Sequence, residues 1–179
     1  MTQMIKNIIF AGFGGQGVLF AGSVLANAGL CKGFEVTWLP SYGPEMRGGT
    51  ANCSVVISDS AVGSPLVTNP DILVAMNQPS YDKFIDSVVP GGAVIMDSSL
   101  IDRDCAREDI SICKIPATTI AETENLKGLS NMILMGKLFE IVGLFGDEII
   151  EEAIKKSVSE AHWNRIPGNL LAVGIGQKQ

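Results

Sequence analysis

Gly12-Phe13-Gly14-Gly15-Gln16-Gly17 sets three glycines in a Gly-x-Gly-x-x-Gly spacing, directly after an apolar run and directly before a helical pattern. Glycines allow positive φ, and the missing Cβ lets a phosphate or another backbone approach closely. The first N–H groups of the following helix then favour an anion. A dinucleotide-type phosphate turn is one reading of this segment. Two observations weigh against a self-contained nucleotide site. The end of the second strand, where an acid would bind ribose hydroxyls, is Trp38-Leu39-Pro40, while Glu35 lies at the strand's start. No Gly-Lys-Ser/Thr follows the glycines, so the Walker pattern fails as well. A structural turn, and a shared site completed by another chain, stay open beside the nucleotide reading.

A second constellation is Ser41-Tyr42-Gly43-Pro44-Glu45-Met46-Arg47-Gly48-Gly49. Arg47, flanked by glycines, offers a guanidinium fork to a carboxylate or phosphate, or else forms an ordinary surface or interface salt bridge. In a parallel sheet this loop shares the ligand-facing edge with the first turn. Other chemistry-bearing residues are weaker candidates. His162 is the only histidine and has no serine or cysteine nucleophile marked by a local motif. Asp97-Ser98-Ser99 ends a strand and is read as a cap, since Asp and Ser bond nearby backbone readily. Met76 and the group Met132, Leu134, Met135 and Leu138 read as core.

The elements that must position these loops follow from hydrophobic periodicity. Lys6 to Ala11 predicts a buried strand, and Val18, Ala21, Leu25 and Ala28 predict a helix to Cys31 with Gly33 as its stop. Phe34 to Leu39 predicts a strand stopped by Pro40. Ala51 to Ser58 predicts another, turned at Asp59-Ser60 into a short piece ending at Val62, so an antiparallel hairpin is expected. Strands are predicted at 72–76, 93–96 and 110–115, and a helix begins at Pro79 with Tyr81, Phe84, Ile85 and Val88 on its apolar face. Helices are predicted at 118–123, 131–142 and 147–161, with Gly146-Asp147-Glu148 as a helix start. The tail from Pro167 to Gln179 is apolar and then polar, and is expected to dock on the domain or on a partner.

The fold class expected is α/β, a Rossmann-like three-layer domain with a mostly parallel sheet and an antiparallel hairpin addition, in one domain over 1–179. Hydrophobic residues at 46%, charged residues at 18% and a mean hydropathy of +0.29 fit a buried parallel sheet or a surface kept for partner subunits. No apolar run is long enough to span a membrane and no signal-peptide pattern opens the chain, so a cytoplasmic protein is expected. The net charge of -6 carries no basic stripe, which argues against nucleic acid. Cys31, Cys53, Cys105 and Cys113 are too scattered for an iron–sulfur or zinc site of this chain's own.

The two glycine-bearing motifs, in this order, resemble the gamma subunit of 2-oxoacid:ferredoxin oxidoreductases. Met76-Asn77-Gln78-Pro79-Ser80, Gly91-Gly92 before Asp97-Ser98-Ser99, and Asn131-Met132 with Gly136 extend the resemblance over nearly the whole chain. It implies a complex that oxidatively decarboxylates a 2-oxoacid, forms an acyl-coenzyme A and passes electrons to ferredoxin. Alpha, beta and delta (ferredoxin-like) subunits are the implied partners, with thiamine diphosphate, Mg and iron–sulfur clusters expected on them. No catalytic or metal-binding residue is assigned to this chain, which alone is expected to be inactive. Coenzyme A at a shared cleft is expected to meet Gly12, Gly14, Gly15, Gln16 and Gly17 from one loop and Ser41, Tyr42, Gly43, Glu45, Arg47, Gly48 and Gly49 from the other. 2-Oxoglutarate and branched-chain 2-oxoacids are the first substrates to test, with pyruvate and indolepyruvate enzymes as relatives of the same chemistry. The rival readings are a free-standing nucleotide-binding oxidoreductase and a non-catalytic assembly subunit.

Overall fold

In the computed structural model, which describes residues 4–41 and 50–179, the first apolar run becomes strand β1 (Ile5–Phe13). Its centre, Ile8 to Ala11, is buried without alternation because both faces of the strand are covered. Ile8 and Phe10 join one apolar cluster, while Ile9 and Ala11 join another on the opposite face. The sheet is therefore the middle of three layers.

After β1 come α1 (Val18–Cys31), β2 (Glu35–Ser41), β3 (Thr50–Ser58), β4 (Ile72–Ala75) and α2 (Gln78–Phe84). Next are β5 (Ala93–Asp97), β6 (Ser111–Ile115), α3 (Ala117–Thr123), α4 (Ser130–Val142), α5 (Asp147–Ser157) and α6 (Ile166–Gly176). The sheet order is β2-β3-β1-β4-β5-β6, with β1, β4, β5 and β6 parallel to one another and β3 antiparallel to both β1 and β2. The α/β class with a mostly parallel sheet and an antiparallel addition is thus the observed architecture.

Three expectations need correction. The antiparallel pairing does not come from a hairpin at 59–62; β3 instead lies between β2 and β1. Residues 59–62 form no strand, and Asp59 instead closes back on Met4, whose carbonyl accepts from the Asp59 N–H at 3.1 Å. Pro40 does not stop β2, which runs on to Ser41 with Pro40 opposite Cys53. An edge strand tolerates proline because only one of its sides needs a ladder. The helix expected over 147–161 ends at Ser157, and a short 3-10 turn, Glu160–Arg165, follows it.

The tail docks on its own chain, as α6 lies along α4 with Gly136 and Gly176 at the crossing. Gly33, with φ +85, ends α1 in the left-handed conformation expected of a helix stop.

Cys53 sits fully buried under α1, its Sγ 3.7 Å from the Val18 carbonyl oxygen. Burial, partly opposed by Trp38, pushes its thiol from 9.0 up to about 12. The thiol therefore stays protonated in the fold while the unfolded chain ionises near 9. Stability from this site is complete below that value and is lost as pH rises toward about 12. Between pH 9 and 11 the unfolding free energy is expected to fall by up to about 1.4 kcal/mol per pH unit from this group. Urea titrations at several pH values check this, since Cys53→Ala is expected to remove that part of the slope.

Candidate functional site

The register of the parallel strands brings the loops together. Ala11 pairs with Ala75 and Ala75 with Met96, so the residues that follow β1, β4 and β5 gather on one rim. Ser41 at the end of β2 pairs with Asn52, while Phe13 at the end of β1 pairs with Thr50, which puts both strand ends at the same edge. The expectation that the two glycine loops leave the sheet on one side is met. Tyr42, Gly43, Glu45, Arg47, Gly48 and Gly49 themselves lie outside the described residues.

The first turn divides its labour among its residues. Gly12 is buried, and a Cβ there would press on Val18 at 2.8 Å and Gln16 at 2.9 Å, so this glycine serves packing. Gly17 has φ +75, and a Cβ would run into the Asn131 side chain, whose Nδ2 donates to the Gly17 carbonyl oxygen at 3.2 Å. Gly14 and Gly15 are exposed at the rim, and a Cβ on Gly15 would meet nothing. These two present backbone outward.

Gln16 is occupied within the fold. Its Oε1 accepts from the Phe13 N–H at 2.6 Å and from Asn77 Nδ2 at 2.9 Å, and its Nε2 donates to the Met76 carbonyl at 2.9 Å. Asn77 in turn caps α2 by accepting from the Ser80 N–H at 2.9 Å. The side chain thus buckles the glycine turn to the end of β4. Helix α1 begins at Gly17 with no side-chain cap and no acidic residue in its first turn. Its positive end faces the rim with no acidic residue of its own first turn against it.

Two cavities adjoin the turn. One, of about 270 Å³, is lined by Gly15, Gln16, Thr118, Glu122, Lys127 and Ser130 among others, and so carries one ammonium and one carboxylate side chain. The other, of about 440 Å³, lies between Gly17, Phe20, Asn131, His162, Arg165 and Asn169. Asn131 and Asn169 are each 3% exposed, and their Oδ1 atoms have no hydrogen-bond partner among the described residues. Two buried carboxamide oxygens without a donor are an uncommon cost in one cavity wall. The amide nitrogens are engaged, Asn169 Nδ2 with the Arg165 carbonyl at 2.7 Å.

Asn169 was not a candidate from the sequence, and Asn131 only by resemblance. The available signal was an amide set on apolar helical stretches, beside Met132-Ile133-Leu134 and Leu170-Leu171. His162 Nδ1 lies 2.9 Å from Ser159 Oγ at the mouth of the same cavity. Asp97 caps, as expected: it accepts from the Ser99 N–H at 3.0 Å, and at the start of α3 from the Thr118 N–H at 3.1 Å and the Thr118 hydroxyl at 2.6 Å. Met76, Met132, Leu134, Met135 and Leu138 are core residues. Glu35 starts β2 opposite Ser58, at the edge away from the glycine turn, so it stands off any ribose bound there. Among the described residues no group of three or more His, Cys, Asp or Glu side chains is placed to hold a metal ion, and no helix is long and apolar enough to cross a membrane.

Comparison with known proteins places the chain in a family. The chain is 40% identical over 178 residues to the 2-oxoglutarate synthase subunit KorC of Methanocaldococcus jannaschii, covering 98% of this chain and 94% of that protein. It is 44% identical over 147 residues to the ketoisovalerate oxidoreductase subunit VorA of Methanothermobacter thermautotrophicus, covering 81% of this chain but only 30% of VorA. Its backbone superposes on the gamma subunit of the keto/oxoacid ferredoxin oxidoreductase of Geobacter sulfurreducens with a TM-score of 0.82 at 27% identity, covering 97% and 96% of the two chains. The fold also recurs in the 2-oxoglutarate:ferredoxin oxidoreductase of Magnetococcus marinus, solved with 2-oxoglutarate, coenzyme A and succinyl-CoA bound, with a TM-score of 0.83 at 23% identity, over 99% of this chain and 31% of that one. With residues 7–178 matching the family model for pyruvate ferredoxin/flavodoxin oxidoreductase, the chain belongs to that family.

Proposed function

We propose that this chain is the gamma-type subunit of a cytoplasmic complex that oxidatively decarboxylates a 2-oxoacid, forms its acyl-coenzyme A and passes electrons to ferredoxin. In this reading the 179 residues form one unit, and alpha, beta and delta-type partners hold thiamine diphosphate, Mg and the iron–sulfur clusters. The proposed substrate is 2-oxoglutarate, because the match to KorC runs over nearly the full length of both chains. A branched-chain 2-oxoacid is the second reading, favoured by the higher identity to VorA over a shorter stretch.

The observation that carries the role of this chain is the rim. Exposed Gly14 and Gly15 stand before the uncapped start of α1, with Lys127 and Glu122 in the adjoining cavity. Such a site suits the phosphates of coenzyme A. The orphaned Asn131 and Asn169 oxygens beside it suit N–H donors, which the adenine amino group and pantetheine amides supply. Coenzyme A brings the thiol that accepts the acyl group. This chain's residues bind its anionic part and orient it toward a cleft that the loop through Arg47 is proposed to complete with partner subunits.

Co-expression with the neighbouring reading frames, followed by coenzyme A-dependent dye reduction with several 2-oxoacids, tests the assignment. Failure to co-purify with a thiamine-binding partner would overturn it. Within the assembled enzyme, Gly14→Asp places a carboxylate at the proposed phosphate site without demanding positive φ. The KM for coenzyme A is expected to rise about tenfold, from like-charge repulsion at a helix start, while the KM for the 2-oxoacid and the value for Gly14→Ser stay near wild type. An equal effect of Asp and Ser would remove the anion from this site.

A further inference from the structure

Three helices begin at the larger of the two cavities beside the glycine turn, the one of about 440 Å³. Gly17 precedes α1, Leu129 precedes α4 and Arg165 precedes α6, and all three residues line it. None of the three helices has a side-chain cap at its start or an acidic residue in its first turn. Their first N–H groups and positive dipole ends therefore meet around one space. The start of α6 is an addition that the cavity at Gly15 does not share. No Asp or Glu is among the lining residues, although the chain carries a net charge of -6 and the cavity at Gly15 includes Glu122. Helix starts that gather without a carboxylate favour an anion.

Arg165 supplies a cation to the same space. Arg103 and Arg107 pair with Asp82 and Asp109, whereas the Arg165 guanidinium has no carboxylate within ion-pair distance among the described residues. Its backbone is tied to the cavity wall, since its carbonyl accepts from Asn169 Nδ2 at 2.7 Å. The wall also requires a donor. The Asn131 and Asn169 Oδ1 atoms, buried and without a partner among the described residues, are acceptors for N–H groups. Inorganic phosphate or a simple carboxylate would answer the helix starts and Arg165 but brings no N–H. A ligand that carries both a phosphate and an amino group answers the whole wall, and Phe20 gives its ring an apolar surface.

We propose that this cavity takes the 3′-phosphoadenosine end of coenzyme A, a placement that rests on the proposal above that coenzyme A meets this chain. The 3′-phosphate pairs with the Arg165 guanidinium at the start of α6. The adenine amino group has two hydrogens, one for each orphaned asparagine oxygen. Direction follows from what adjoins. A further cavity, of about 250 Å³, shares Gly17 and Phe20 with this one and passes Phe13, Gly14 and Gly15 to reach Ala51. The diphosphate then crosses the exposed glycines, and the pantetheine arm leaves toward the start of β3. Arg165, Asn131 and Asn169 thereby become specificity-determining residues, which separate coenzyme A from its 3′-dephospho form and from a base without the amino group.

Steady-state kinetics of the assembled enzyme with coenzyme A, 3′-dephospho-coenzyme A and the hypoxanthine analogue of coenzyme A provide the test. The wild type is expected to use coenzyme A with kcat/KM at least about tenfold above either analogue, the size of one lost hydrogen bond of this kind. Arg165 is exposed, so Arg165→Gln is expected to keep the wild-type Tm. It should lower kcat/KM for coenzyme A about tenfold and leave the values for the dephospho form and the 2-oxoacid unchanged. Gly14→Asp should instead weaken both forms alike, because both carry the diphosphate. If Gly14→Asp acts so but Arg165→Gln treats the two forms equally, the placement of the 3′-phosphate falls while coenzyme A stays on this chain. If neither variant changes either constant, coenzyme A leaves the chain and this placement goes with it. A hypoxanthine analogue used as well as coenzyme A would take the base off the asparagines and overturn the proposal.

Discussion

Gly136→Ala is expected to destabilise the chain by about 3 kcal/mol or more, the upper range for overpacking a core. The sign is what makes this informative. On an exposed helix the same change gains about 1 kcal/mol, because alanine is the better helix former. Here Gly136 lies in the middle of α4, fully buried, with α6 laid across it. A methyl group at this position would overlap the Val173 carbonyl oxygen and stand 2.8 Å from both the Gln177 nitrogen and the Gly176 Cα. These are backbone atoms, so no side-chain rotation relieves them. Gly176 answers from the other helix, since its own methyl would strike the Ile133 carbonyl. The two helices touch backbone to backbone, and α6 must move away as a unit if either glycine gains a Cβ.

Thermal unfolding of the isolated chain should show this as a Tm lower by about 6–12 °C, at about 2–4 °C per kcal/mol for a chain of this size. Hydrogen exchange should locate the loss in α6 and the facing turns of α4. Because α6 carries Asn169, undocking it also dismantles one wall of the cavity beside Gly17. A variant with unchanged or raised Tm would mean that the helices cross at a wider distance.

What the sequence made legible, and what it did not, follows the range of the interactions involved. The strand, glycine turn and helix from Lys6 to Cys31 are set by local apolar periodicity and by glycine placement, and they lie where expected. The position of β3 between β2 and β1 is set by pairings such as Phe10 with Cys53 and Trp38 with Val55, which no local pattern encodes. The expected hairpin at 59–62 failed for that reason. Pro40 resembles a strand stop because nothing in the local sequence marks β2 as an edge. In the site, the exposure of Gly14 and Gly15 was legible in outline. The occupation of Gln16 was not, since its Nε2 finds the Met76 carbonyl 60 residues further along the chain. Asn169 stayed unseen because its significance lies in a missing partner, which only the packed cavity reveals.

The second large effect is expected at Gln16, and its two substitutions separate holding the turn from binding a ligand. Gln16→Ala removes three hydrogen bonds at once and leaves the Phe13 N–H and the Asn77 amide without their acceptor. The site is partly exposed, so water replaces some of the loss, and about 2 kcal/mol of stability is expected to go. The larger consequence is geometric. Without the buckle, Gly14 and Gly15 lose their fixed distance from the end of β4, and the proposed phosphate site loses its preorganisation. In the assembled enzyme kcat/KM for coenzyme A should fall at least about tenfold, the penalty of about 1.4 kcal/mol for ordering the turn on each encounter. Gln16→Glu keeps both acceptor roles but turns a donor toward the Met76 carbonyl into a carboxylate oxygen. At pH 7 the two oxygens repel, and a deficit of about 1–2 kcal/mol against wild type is expected. That repulsion, with partial burial, raises the folded pKa of the new carboxyl above its unfolded value. Below the unfolded value the protonated side chain can donate to Met76 again, so the deficit should shrink as pH falls toward 5 and grow as pH rises through the folded pKa. Urea unfolding of wild type and Gln16→Glu in parallel at pH 5 and pH 7 reads the difference. A deficit that is the same at both values would place the side-chain amide of Gln16 somewhere other than on the Met76 carbonyl.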